Sequence, residues 1–174
     1  MEALKALIKD LLIAAESGDF KAVKKSLENG ANVNCANEYN DTPLHKAAQG
    51  GSRDVAELLI SKGAGINNWG YHGNTPLHDA ARGGFLDLAE LLISKGADIR
   101  IKDDFGNTAV YWAKGKAKIL LQLVESGVDA SHALEAAKHC DSLNEAQDYI
   151  LSSLLAAATV PINVSVIIIL PNVE

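Results

Sequence analysis

The chain has 174 residues, 48% of them hydrophobic and 22% charged, with a formal net charge of −6 and only 5% aromatics. So much apolar surface excludes global disorder, and the acidic excess argues against nucleic-acid binding, which needs a basic footprint. Cys35 and Cys140 stand far apart with no C-x-x-C pair, the pattern of two reduced thiols in a cytosolic protein and not of a disulfide framework.

The chain opens with Leu4, Leu7, Ile8, Leu11 and Leu12 at helical spacing. Glu2, Lys5, Lys9 and Asp10 interrupt the apolar run, so no signal peptide is expected. Ala14-Ala15, Gly18 and Gly30-Ala31-Asn32-Val33-Asn34 return 33 positions later as Ala47-Ala48, Gly51 and Gly63-Ala64-Gly65-Ile66-Asn67. A second helix between them carries Lys21, Lys24, Lys25 and Glu28 as its polar side.

The next unit starts on Thr42-Pro43-Leu44-His45, which recurs as Thr75-Pro76-Leu77-His78 and, worn, as Thr108-Ala109-Val110-Tyr111. Thr42 to Asn67 and Thr75 to Arg100 agree at 19 of 26 positions. Thr is placed as an N-cap and Pro at the first helical position, where its missing N–H is no loss. The first helix of each unit is expected to end at Gly50-Gly51 or Gly83-Gly84. The second runs over Asp54–Lys62 or Asp87–Lys95, acid first and base last, complementing its dipole. Ala47, Ala48, Leu58 and Leu59 mark the buried stripe. Gly73 and Gly106, two residues before the Thr, suit a turn with positive φ, and Asn40 tolerates the same position.

The fourth unit has lost its Pro and His and is two residues shorter, yet Ile119, Leu120, Leu121, Leu123 and Val124 still predict a buried helix. Ser131 is expected to cap a short helix, Ala133 to about His139. Ser142-Leu143-Asn144-Glu145 is a capping box for a last helix with Tyr149, Ile150, Leu154 and Leu155 on its apolar side. From Tyr149 to Val173 there is no charge, which reaches the length of a membrane helix. Pro161, Asn163, Ser165 and the lack of flanking Lys or Arg favour instead an extension docked on the stack, with Val164 to Leu170 as a short strand. A membrane anchor is the alternative.

A 33-residue period carrying T-P-L-H-x-A resembles the ankyrin-repeat family. The resemblance implies an all-α solenoid of stacked helix-turn-helix units joined by loops and β-turns. Residues 1–130 would hold the repeats: about 4–37 degenerate, 38–70, 71–103, and 104–130 degenerate. Residues 131–158 would form a helical cap or truncated fifth repeat, followed by the apolar tail 159–174. The motif histidines, His45 and His78, are then expected to tie adjacent repeats together.

No phosphate-cradling loop, H-E-x-x-H or G-x-S-x-G occurs, and the acids read as scattered over solvent-facing helix positions. His132, His139, Cys140 and Asp141 match no standard zinc spacing. No enzyme activity, cofactor or metal is expected. The family's mode of action implies a monomeric, cytoplasmic module that binds another protein through its loop tips and the exposed side of each first helix. Carried over by position, the tips are Glu38, Tyr39 and Asp41; Trp69, Tyr71, His72 and Asn74; and Lys102, Asp104, Phe105 and Asn107. The helix positions are Lys46, Gln49, Asp79, Arg82 and Trp112. Tyr39, His72 and Phe105 share one phase and are expected to line up as a row.

Overall fold

The structure, a computed structural model, describes residues 2–158; the stretch 159–174, and with it the expected strand over Val164 to Leu170, lies outside the described residues. The described residues form helices in five consecutive pairs. These are α1 (Glu2–Ser17) with α2 (Phe20–Glu28), α3 (Pro43–Gly50) with α4 (Arg53–Ser61), and α5 (Pro76–Gly83) with α6 (Leu86–Ser94). Then come α7 (Ala109–Trp112) with α8 (Gly115–Glu125), and α9 (Ala130–His139) with α10 (Leu143–Ala158).

The first helices start where the sequence places them. Thr42 and Thr75 are extended N-caps, followed by Pro. Gly51 and Gly84 close the helices in the left-handed conformation at φ 70° and 74°. Successive pairs stack in two rows, α1, α3, α5 and α7 in one and α2, α4, α6 and α8 in the other. The core runs along the stack between the rows. Leu11, Leu44 and Leu77, one period apart, are all but sealed from solvent, and so are Ala15, Ala48 and Ala81 beside them. The alanines let neighbouring helices approach closely, and each buried leucine contributes about 2 kcal/mol of apolar burial.

Two elements depart from the repeat, and two expectations need correcting. The first unit has no Thr-Pro start, and nothing halts its helix at Lys9-Asp10; α1 therefore runs unbroken for 16 residues, twice the 8 of α3. In the shortened fourth unit α7 is a single turn, after which Lys114 is extended and its N–H donates to the Ala81 carbonyl at 3.1 Å. The cap of α9 is Asp129 and not Ser131: its carboxylate accepts the N–H groups of Ser131 and His132, so the helix starts at Ala130. On α10, Ser142 does accept from the Glu145 N–H at 3.3 Å, but the apolar side is only partly covered. Ala146 is buried and Ile150 half-buried, whereas Leu151, Leu154 and Leu155 are exposed, since among the described residues no further helix pair packs beyond α10. No helix among the described residues is long and apolar enough to cross a membrane.

Candidate functional site

The loops before α3, α5 and α7 each turn back just before the Thr that caps the next helix, and the side chains that hold these turns decide which residues remain at the surface. In the loop before α3, Asn37 Oδ1 accepts the N–H groups of Tyr39 and Asp41, each at 2.9 Å. One period later but one, Asp103 Oδ1 accepts those of Phe105 and Asn107, again at 2.9 Å. The loop between them has Gly70 at the same phase and no side chain to do this. Asp41 of the preceding unit reaches across instead, and its Oδ1 accepts the Tyr71 N–H at 2.9 Å. Gly70 is required there, because a Cβ would come within 2.7 Å of Asp41 Oδ1 and 2.8 Å of the His45 ring. The turn itself is a short 3-10 segment, Tyr71–Gly73, in which both His72 (φ 54°) and Gly73 (φ 69°) are left-handed.

The motif histidines hold the same turns from below. Nδ1 of His45 accepts from the Thr42 N–H at 3.2 Å and lies 2.9 Å from the Thr42 hydroxyl, and Nε2 donates to the Asn74 carbonyl at 3.0 Å. His78 repeats this with Thr75 and the Asn107 carbonyl at 3.2 Å. An imidazole that accepts at Nδ1 and donates at Nε2 is neutral, and burial keeps both rings below the ordinary histidine range. These are structural bonds, as the buried phase of the two residues predicts.

Along the row of first helices runs a chain of polar side chains. Lys46 Nζ sits 3.3 Å from Asp41 Oδ2 and donates to Gln49 Oε1 at 2.8 Å. Gln49 Nε2 bridges Asp41 and Asp79, at 3.4 and 3.2 Å. Arg82 lies 3.7 Å from Asp79 and stacks over Trp112 at 4.8 Å, and Trp112 Nε1 donates to Asp103 Oδ2 at 2.7 Å. Burial pushes the Asp79 carboxyl up to about 6, against the opposing pull of Gln49 and Arg82. Burial also raises Asp41 and Asp103, but the N–H donors facing each outweigh it and hold both below the usual carboxylate range.

The sequence-derived set therefore divides by exposure. Glu38, Tyr39, Trp69, Tyr71, His72, Lys102, Asp104 and Phe105 are exposed; Lys46, Gln49, Arg82, Asn107 and Trp112 are half-buried. Asp41, Asn74 and Asp79 are each only 5% exposed, a correction to their place among surface residues. Their polar atoms are committed to Tyr71, Lys46, His45, Gln49 and Arg82. With buried Asp103 they also depart from the reading of the acids as solvent-facing. Sequence reasoning missed Asp103 and the inward role of Asp41. The signal for both was the phase shared by Asn37, Gly70 and Asp103.

The exposed rings come together. Tyr39 meets Tyr71 edge-on at 5.4 Å, Tyr71 meets His72 at 3.8 Å, and His72 meets Phe105 at 5.2 Å. The row expected from Tyr39, His72 and Phe105 is present, with Tyr71 inserted as a link. Trp69, at 69% the most exposed aromatic among the described residues, stands beside it. Among the described residues no group of three or more His, Cys, Asp or Glu is placed to hold a metal ion.

A search among curated proteins finds no match. A family profile described as ankyrin repeats (3 copies) matches residues 11–103, more than half of the chain. The repeated Thr-Pro-Leu-His caps, the two rows of helices and the histidine ties between units agree with it: the chain belongs to the ankyrin-repeat family, whose repeats are generally protein–protein interaction modules.

Proposed function

We propose that this protein is a non-catalytic, monomeric, cytoplasmic recognition module that binds a partner protein through its loop tips and the adjoining first-helix face. The units are those read from the sequence, four repeats over 1–130 with α9 and α10 as the terminal cap. The observation that carries the reading is the row Tyr39, Tyr71, His72 and Phe105, with Trp69 beside it, displayed on turns fixed from below by buried side chains. Large aromatic rings often dominate interface energy, and rings already held in place lose little entropy on docking. Lys46, Gln49, Arg82 and Trp112 extend this surface along the helices, while Asp41, Asn74 and Asp79 act from beneath it.

The test is paired capture from source-cell lysate by the intact chain and by a Trp69→Ala, Tyr71→Ala, Phe105→Ala variant of equal melting temperature. A protein retained by the first and lost by the second supports the surface. A protein retained equally by both moves the interface elsewhere.

A second reading, an adaptor tethered to a membrane through residues 159–174, is favoured by exposed Leu151, Leu154 and Leu155, which belong to the uncharged stretch that begins at Tyr149. Alkaline carbonate extraction decides it: release of the full-length chain from membranes removes the anchor.

A further inference from the structure

An open groove of ≈ 410 Å³ runs across the first and second loop tips and reaches Asp104 of the third. Its aromatic lining is Tyr39, Trp69, Tyr71 and His72, and its two carboxylates are Glu38 and Asp104. No Lys or Arg lines it. The Asp104 carboxylate folds over the turn, close enough that a Cβ on Gly73 would meet its Oδ1 at 2.6 Å. Lys46 is paired with Asp41, and Lys102 is not part of the lining.

We propose that this groove seats a basic side chain, Arg or Lys, of the partner protein. The assignment rests on the surface proposed above and names the chemistry it recognises. Aromatic faces attract a cation brought within about 6 Å of the ring centre, and here the rings stand between two carboxylates that complete the charge match. A partner carboxylate would meet like charge at both ends of the groove. The stack already uses the same pairing internally, where Arg82 lies over Trp112 at 4.8 Å. The contrast within the molecule is with the hollow on α1, where Lys5, Lys9 and Lys46 outnumber Glu16, so the tip groove is the end that favours a cation. The net charge of −6 draws a basic segment toward the chain at long range.

The experiment is selection of a random dodecapeptide phage library on the intact chain, with each selected peptide re-tested on two variants whose melting matches the parent. One is Trp69→Ala, Tyr71→Ala; the other is Glu38→Gln, Asp104→Asn. The expected result is that peptides lost on the aromatic variant are enriched in Arg and Lys, bind the carboxylate variant about tenfold more weakly, and weaken further in high salt. If groove-dependent peptides are neutral or acidic, or bind the carboxylate variant as well as the parent, the cation assignment falls while the surface reading stands. Selected peptides that bind the aromatic variant as tightly as the parent overturn both. A selection that yields no binder overturns the cation assignment.

Discussion

The seam between the second and third helix pairs and the seam between the fourth and fifth are built differently. In the former, neutral His45 holds the next turn at Asn74, Asp41 holds the Tyr71 N–H, and Gln49 spans to Asp79. Asn67 adds a two-bond staple, its amide donating to the Gly96 carbonyl and accepting the Asp98 N–H. In the latter, the histidine position holds Tyr111, 67% exposed, and the polar contacts seen are those of Lys116 to the Lys138 carbonyl and Asp141 on the solvent side. Helix packing is common to both seams, α3 on α5 and α4 on α6 in the former and α8 on α9 and α10 in the latter; buried, directional bonds are not. Apolar contact stacks the units, and the buried polar bonds set their register.

The largest expected effect comes from removing the buried clamp. His45→Ala leaves a cavity and unpaired groups at Thr42 and Asn74, and is expected to cost about 3 kcal/mol in urea unfolding. Tyr111→Ala, at the same position of the weaker unit, is expected to cost less than about 1 kcal/mol. Equal costs would erase the distinction between the seams. Native-state hydrogen exchange reads it directly: amides of α3 to α6 are expected to be protected by about 2 kcal/mol more than those of α9 and α10.

The titratable groups of the second–third and third–fourth seams give the stack a pH signature. His45 and His78 sit below the ordinary 6.5, so as pH falls through that value the unfolded chain takes up protons first. Their contribution is complete above 6.5 and is lost below it. Asp79 runs the other way: its pKa is about 6 against an ordinary 3.8, so the folded chain carries an unfavourable charge above 6 and is relieved as pH falls toward 3.8. Asp79→Asn is therefore expected to stabilise the chain by up to about 3 kcal/mol at pH well above 6, with the gain vanishing near the lower value. Urea midpoints across that range check it, and a constant difference would count against the buried charge. The smallest effect is a gain. Arg100 stands where Asn34 and Asn67 make their staples, and now pairs with Asp98 in its own loop at 3.2 Å. Arg100→Asn is expected to add a third staple, toward the start of α9, worth about 0.5 kcal/mol in thermal unfolding.

The caps, the helix ends and the buried leucine ladder were legible because each rests on a local rule written into the repeat: Thr-Pro starts a helix, Gly ends it, and Leu44 and Leu77 share a phase. The first and fourth units were legible only as departures. The length of α1 and the single turn of α7 follow from what is missing, and absence does not say how far a helix runs. At the surface, the ring row could be read from phase alone, but Tyr71 within it could not, since it occupies the phase of Glu38 and Asp104. The inward Asp41 and Asp79 escaped because burial of a charge depends on its partners, here Gln49, Lys46 and Arg82, and those meet only across units.

The clamps all point the same way. Asn34 grips the Gly63 carbonyl, Asp41 the Tyr71 N–H, His45 the Asn74 carbonyl, Asn67 the Gly96 carbonyl and His78 the Asn107 carbonyl. In every case a side chain of the earlier unit grips the backbone of the later one. A ribosome delivers the chain in that same order. As each turn leaves the exit tunnel, the residues that mould it have already emerged, so every finished unit serves as the template for the unit still being made.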